Sequence, residues 1–334
     1  MVKQLVVQRF HDIFRFPEEL KGGVVAIGNF DGVHRGHQAV LAQATRAAEA
    51  AGVSACVLTF EPHPRTVFRP DEPVFRLTPA AMKAAILGHL GFDAVVEHPF
   101  DKVFSSQSAH DFVTDILSGK LGVHHVVTGY DFHFGKGREG NPEYLTQAGE
   151  RHGFDVTLVD AFRDENTDVV SSSRIRRALT QGEVGEAAGL LGYRYAVSAE
   201  VLHGKKLGRT LGYPTANMAL PSETGLLPGI YAVRFRRADG KFYDGVASFG
   251  RRPTVDGDDA ALLLETYLFD FSGDLYGETC SVCFVSRLRG EEKFDSLEPL
   301  VAQMKIDEDE ARAALGAITP LSSLDAAMTF GVDA

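Results

Sequence analysis

The sequence predicts a two-domain α/β chain: a parallel sheet with intervening helices, then a small antiparallel β-barrel with a terminal helix. Three observations carry this. From Val24 to Asp160, short apolar runs alternate with stretches of helical periodicity, the pattern of a parallel sheet wound with helices. Past Gly192 the apolar period falls from 3.6 towards 2, and the turn pair Asp239-Gly240 marks a hairpin. The length of 334 residues exceeds one typical domain, and an apolar content of 44% suffices for one or two full cores. The expected division is 1–185, 186–317 and a C-terminal tail, 318–334, to which no role is assigned.

The first domain opens on an apolar strand, Val24-Val25-Ala26-Ile27. The loop Gly28-Asn29-Phe30-Asp31-Gly32-Val33-His34-Arg35-Gly36-His37 follows, and then a helical run from Gln38 to Ala51. A loop joining such a strand to its helix is where an α/β sheet holds a nucleotide. His34 and His37, three apart with Gly36 between them, stand where the helix begins, so both rings can face one point beside its free N–H groups. Such a point suits phosphate. Glycines let backbone approach it, and imidazoles that donate hydrogen bonds stabilise charge on a displaced phosphoryl oxygen. The plainer reading is a tight turn with two surface histidines.

Ser54 to Phe60 reads as a buried strand, and Glu61-Pro62-His63-Pro64-Arg65 as a stiff loop kept out of helix by its prolines. A helix runs from Thr78, with Pro79 in its first turn and Gly91 past its end. Asp93 to Glu97 is a third strand, Ser108 starts a helix, and Val123 to Thr128 is a fourth strand. The loop after it, Gly129 to Gly140, imitates a P-loop, yet five residues rather than four precede Gly135-Lys136, and glycine replaces the final hydroxyl residue. Its G-x-G-x-x-G match is not joined directly to the strand. It is read instead as a polar-aromatic loop in which Asp131 and the Phe132/Phe134 pair line a pocket, with a structural glycine-rich turn as the alternative. After the strand Asp155 to Asp160, Ser171-Ser172-Ser173-Arg174-Ile175-Arg176 opens a short helix. The serines can simply cap it. With Arg174 and Arg176 they make a second helix start suited to phosphate, which guanidinium groups bind bidentately.

In the second domain, Glu183 to Gly192 reads as a short helix and hinge. Strands follow at Tyr195 to Leu202, Ile230 to Phe235, Lys241 to Phe249, Leu262 to Phe269 and Thr279 to Leu288. Two helices, Ser296 to Lys305 and Asp307 to Leu315, follow, and Ser322 to Phe330 reads as one more. The stretch His203 to Asn217 holds Gly204, Lys205, Gly208, Arg209 and Pro214, a flexible cationic loop able to wrap a triphosphate. Thr215 and Asn217, two apart, share one face of an extended strand, and their oxygens suit Mg²⁺.

Net charge is −11, with 19 Lys+Arg against 23 Asp+Glu up to residue 185 and 15 against 22 beyond it. Neither half is basic, so a nucleic-acid partner is not expected. No segment is apolar enough to span a bilayer, and Met1 to Asp12 lacks the apolar core of a signal peptide, so a cytoplasmic location is expected. Three cysteines make no disulfide framework; Cys280 and Cys283 read as small core residues pointing to opposite faces of a strand. Eleven of the twelve histidines precede residue 153.

The decapeptide Gly28 to His37 resembles the G-x-F-D-x-x-H-x-G-H signature of the nucleotidylyltransferase superfamily, which implies a Rossmann-like domain. Taken with Thr59-Phe60-Glu61-Pro62-His63-Pro64, Asp131-Phe132-His133-Phe134-Gly135 and Ser171 to Arg176, it resembles the adenylyltransferase half of the bacterial bifunctional riboflavin kinase/FAD synthetase family. Gly208-Arg209-Thr210-Leu211-Gly212-Tyr213-Pro214-Thr215-Ala216-Asn217 resembles the riboflavin kinase motif of the same family. The resemblance implies two reactions: riboflavin plus ATP to FMN and ADP, then FMN plus ATP to FAD and pyrophosphate. It implies Glu265 as general base of the first, Thr215 and Asn217 at Mg²⁺, and Gly204, Lys205, Gly208, Arg209, Pro214 and Arg289 around ATP and flavin. For the second it implies His34, His37, Arg174 and Arg176 as catalytic groups. Gly28, Asn29, Phe30, Asp31, Gly36, Asp131, Ser171, Ser172 and Ser173 then line the ATP and FMN site. Departures are Ser173 where threonine is usual, Tyr267 where histidine is common, and Ser248 to Val255 in place of the family's Asn-x-Gly-x-x-Pro-Thr-Phe run. The alternatives are a kinase alone with a decayed adenylyl site and a non-catalytic flavin-binding regulator.

Overall fold

The computed structural model describes residues 7–203, 212–252 and 261–332. The chain separates into two units, Met1–Ser172 and Ser173–Ala334.

The first unit is a six-stranded sheet of β1 (Gln8–Phe10), β2 (Val24–Ile27), β3 (Ala55–Glu61), β4 (Ala94–Pro99), β5 (His125–Gly129) and β6 (Asp155–Val159) in the order β1-β4-β3-β2-β5-β6. Every pairing is parallel. From β2 the chain winds outwards through β3 and β4, then returns to place β5 on the other side of β2. The order therefore reverses between β2 and β5, and a crevice opens at their carboxyl ends. Helix α1 (Arg35–Ala51) follows β2, buries Val40, Leu41, Ala44 and Ala48, and ends at Gly52 in the left-handed conformation (φ 65°).

Several elements differ from the sequence reading. Pro64 does not stay out of helix: it occupies the first turn of α2 (Pro64–Phe68), where its missing N–H costs nothing, and His63 caps the start by accepting from Arg65 N–H. Helix α3 spans Ala80–His89. Helix α4 (Ala109–Asp111), capped by Ser108, runs on as a wider helical stretch, Phe112–Lys120. The edge strand β1 and helix α5 (Pro142–His152) were not expected. Phe134 is buried in the sheet core with Phe112 and Leu145, stacked on Phe132.

In the second unit, α6 (Ser172–Thr180, its first residue from the first unit) and α7 (Val184–Leu191) lead into a closed antiparallel barrel. Its strands are β7 (Ala196–Leu202), β8 (Thr215–Leu220), β9 (Gly229–Arg236), β10 (Phe242–Arg252), β11 (Ala261–Leu268) and β12 (Thr279–Arg289), ordered β10-β11-β8-β7-β12-β9. Cys280 shares its face of β12 with Val282 and Phe284, Cys283 lies on the other, and both are buried. The two expected C-terminal helices are one, α8 (Leu297–Gly316), because Lys305-Ile306-Asp307 contains no helix breaker. The pair Lys305–Asp309, spaced i,i+4 at 3.0 Å, bridges the expected break, and Glu308–Arg312, at the same spacing and distance, follows it.

The last segment, α9 (Ser323–Asp325, continuing through Ala326–Phe330), is tied to the barrel. Asp325 is fully buried, pairs with the Arg194 guanidinium, and accepts from Arg194 N–H, Leu321 N–H and the Thr329 hydroxyl. Removing one partner of a buried ion pair costs about 3–5 kcal/mol. Asp325→Ala is therefore expected to lower the stability of the second unit by about that much in urea unfolding; an unchanged midpoint would show that the segment is a passive appendage.

Candidate active sites

The β2–α1 loop lies at the crevice. His34 caps α1: its Nδ1 accepts from His37 N–H at 3.3 Å, so a neutral His34 carries its proton on Nε2. The His34 and His37 rings stack at 3.6 Å and 18°, and Phe30 meets His37 edge-on at 5.3 Å. Gly36 makes this possible, since a side chain there would start 3.1 Å from the His34 ring. Gly28 likewise leaves room for Phe30, whose ring atoms would be 3.0–3.2 Å from a Cβ. Phe30 (φ 46°) and Val33 (φ 36°) hold the left-handed region without being glycine, a strained backbone of the kind found where function fixes geometry.

Contacts from distant segments hold the loop. The Asp31 carboxylate is buried and accepts from the N–H groups of Leu77 and Thr78 at 3.1 Å each, while Gly32 N–H donates to Thr78 Oγ1 at 2.9 Å. Ser172 Oγ donates to the Asp31 carbonyl at 2.8 Å. Behind the loop, Lys83 Nζ donates to Glu61 Oε1 at 3.0 Å, and Arg76 binds both Glu61 oxygens at 2.7 and 2.8 Å. Burial alone would raise the Glu61 carboxyl; hydrogen bonds and charge from Arg76 and Lys83 outweigh it and hold it at about 2. Lys83 is more deeply enclosed, and there burial prevails, pushing its ammonium down although Glu61 opposes it. Asp131, at the end of β5, is exposed and folds its carboxylate back over Gly129.

The crevice thus gathers Gly28, Asn29, Phe30, Asp31, His34, Gly36, His37 and Ser172 in the first unit. Ser173, Arg174 and Arg176 fall in the second, where Arg174 lies 3.7 Å from Glu186. Residues two apart on a helix are separated by roughly 200°, so Arg174 and Arg176 leave α6 on different sides. Arg76, Thr78 and Lys83 escaped the sequence reading. Lys83 had left one signal, a lone cation in the apolar run Ala80-Ala81-Met82-Lys83-Ala84-Ala85-Ile86-Leu87.

The barrel places a second set of groups by register alone. Asn217 of β8 is directly opposite Glu265 of β11, Thr215 is opposite Tyr267, and Glu265 is opposite Ser248 of β10. Opposed residues share a face, so Thr215, Asn217, Glu265, Tyr267 and Ser248 line one side, alternating with the buried Met218, Leu264 and Thr266. Asn217 is 8% exposed; its amide donates to the Thr215 carbonyl at 3.1 Å, which turns its own oxygen the other way. Tyr213 and Tyr267 meet edge-on at 4.8 Å. Arg289, at the end of β12, is bound bidentately to Asp307 of α8 at 2.6 and 2.7 Å, which raises its pKa and pins helix to strand. Pro214 precedes β8, whereas Gly204, Lys205, Gly208 and Arg209 lie outside the described residues. Among the described residues no three His, Cys, Asp or Glu side chains cluster as a metal site. A hydroxyl, an amide oxygen and a carboxylate on one face still fit Mg²⁺, which takes few protein oxygens and fills its shell with phosphate and water.

A parallel-sheet crevice with paired histidines at a helix start, joined to a barrel presenting hydroxyl, amide and carboxylate on one face, defines a two-domain phosphoryl- and nucleotidyl-transfer protein. The family model for FAD synthetase matches residues 16–174, and that for riboflavin kinase matches residues 191–315. A bifunctional riboflavin kinase/FMN adenylyltransferase of Pseudomonas fluorescens is 44% identical over 88% of this chain and 94% of its own. That of Escherichia coli K12 is 38% identical over 94% and 99%. A solved structure from Streptococcus pneumoniae, described as a macrolide-efflux protein, superposes with a TM-score of 0.80 at 32% identity, covering 92% of this chain and 99% of that one. Among the described residues no helix is long and apolar enough to cross a membrane. The chain belongs to the bifunctional riboflavin kinase/FMN adenylyltransferase family.

The Glu61 cluster makes a pH-dependent prediction. A carboxyl held at about 2 against an ordinary 4.5 contributes stability that is full above 4.5 and is lost as pH falls towards 2. Glu61→Gln is expected to destabilise the first unit by about 3–5 kcal/mol at neutral pH, since two enclosed cations lose their partner. It should also flatten the acid limb of the stability curve in that window, as followed by urea unfolding at stepped pH. An unaltered acid limb would contradict this.

Proposed function

We propose that the chain makes flavin cofactors in two ATP-dependent steps, phosphorylating riboflavin to FMN in its second unit and adenylylating FMN to FAD, with release of pyrophosphate, in its first. The observation that carries this is the pair of family matches, one to each half, together with relatives that have both activities in their names and align over nearly their whole length.

In the kinase step Glu265 takes the proton of the ribityl 5′-hydroxyl as that oxygen attacks the γ-phosphorus of ATP and ADP departs. Thr215 and Asn217 hold Mg²⁺, which when bound neutralises phosphate charge. The cationic stretch with Gly204, Lys205, Gly208 and Arg209, followed in the sequence by Pro214, binds the triphosphate. Arg289 supports the flavin side through its hold on α8. In the adenylyl step an FMN phosphate oxygen attacks the α-phosphorus of ATP and the bond to pyrophosphate breaks. That nucleophile is already ionised at pH 7, so no base is needed. His34 and His37 donate to phosphate oxygens beside the start of α1, Arg174 and Arg176 bring positive charge, and Ser171, Ser172 and Ser173 line the approach. Asp131 lies at the neighbouring strand end, and Asp31 keeps the loop in shape. The three cysteines are free and the substrate is ATP, both of which support a cytoplasmic location.

The two chemistries separate by mutation. Glu265→Gln is expected to lower FMN formation by at least about 100-fold while sparing adenylylation of supplied FMN. His37→Ala is expected to lower FAD formation by about 10²–10³ while sparing FMN formation. Chromatographic separation of riboflavin, FMN and FAD reads both. Loss of both activities on either single substitution, in a protein that remains folded, would contradict the assignment.

A further inference from the structure

Lys83 has no exposed side-chain surface and sits in a helix built otherwise of Ala, Met, Ile, Leu, Gly and His. Its ammonium donates to Glu61 Oε1 at 3.0 Å, to the Thr59 hydroxyl at 2.8 Å and to the Asn29 carbonyl at 3.2 Å. Enclosing a charged cluster is costly, and well-packed apolar side chains in place of the whole cluster often stabilise a fold as well or better. Stability alone therefore does not account for a lysine here; the geometry it imposes does.

What it grips is the backbone of the histidine loop. The Thr59 hydroxyl, accepting from Lys83, turns its own proton to the same Asn29 carbonyl at 3.1 Å. Asn29 directly precedes Phe30, which holds a left-handed backbone and packs edge-on against His37. A non-glycine residue keeps such a backbone only when its surroundings over-determine it. The Asp31 clamp and Ser172 act on the loop further along; Lys83 and Thr59 fix its beginning.

We infer that Lys83 is a positioning residue for adenylyl transfer: by holding the Asn29 carbonyl it sets Phe30 against His37 and so the aim of the stacked His34/His37 pair. It acts through the loop, and the inference rests on the adenylyltransferase reading of the first unit.

The test is Lys83→Met in the full chain. The kcat for converting FMN to FAD is expected to fall at least about tenfold, with KM for FMN and ATP unchanged within about twofold, since aim is lost and binding is kept. Riboflavin phosphorylation by the same preparation stays at the parent rate, and both assays are run well below the thermal midpoint, which falls because Glu61 loses one of its two cationic partners. In proton NMR the ring signals of His34 and His37, assigned by their loss in His34→Gln and His37→Gln, are expected to move while those of the other histidines stay. Thr59→Val removes the hydroxyl bridge and is expected to give a smaller loss of kcat in the same direction, so the inference stays testable should Lys83→Met not fold. Parent-like kcat with unmoved histidine signals overturns the inference, as does a loss of kcat in a folded protein whose His34 and His37 signals do not move. Should the parent make no FAD from FMN, the adenylyltransferase reading fails by itself. The histidine signals then decide whether Lys83 sets the pair: moved signals uphold that, unmoved signals refute it.

Discussion

A charged cluster enclosed behind a loop, Glu61 with Arg76 and Lys83, is the constraint on which the first site depends. The cluster costs desolvation that the paired charges offset, and it returns a fixed backbone at Asn29 and, through the neighbouring Asp31 clamp, at the turn beyond. The sheet supplies the rest. Reversal of strand order between β2 and β5 opens a crevice at their carboxyl ends, and the loop falls into it. The histidine pair then stands stacked at the start of α1, beside the N–H groups of its first turn.

The barrel reaches its site by a different route. There the pairing register puts Asn217 beside Glu265 and Thr215 beside Tyr267. A one-residue slip of β11 against β8 would carry Glu265 to the buried face and turn Leu264 and Thr266 out of it, so closure of the barrel is what protects the chemistry. The terminal helix is anchored by Arg289 on Asp307, and the last segment by Arg194 on Asp325.

What was legible in the sequence was local. The alternation of strands and helices, the histidine pair, the hairpin about Asp239-Gly240 and the Thr215/Asn217 spacing all lie within a few residues, where periodicity and turn chemistry act. What was not legible joins distant positions. Ser172 reaches Asp31 across 141 residues and Lys83 reaches Asn29 across 54, and no local pattern announces either. Strand β1 was missed because Gln8-Arg9-Phe10 has no apolar run; it exists through pairing with β4. Gly129 to Gly140 misled through its aromatics: Phe134 is core, and the glycines serve the turn. The division of α8 into two was over-reading of polar residues that in fact form i,i+4 pairs on one continuous helix.

Two sites of independent construction, each drawing on ATP, account for a chain that carries one flavin through two successive transfers. The most direct test is a time course of the purified full chain with riboflavin, ATP and Mg²⁺, separating riboflavin, FMN and FAD at each point. The account predicts that FMN rises first and FAD follows at its expense. FMN that accumulates without FAD, even when FMN is supplied directly, would contradict it, as would riboflavin that is bound and left unchanged.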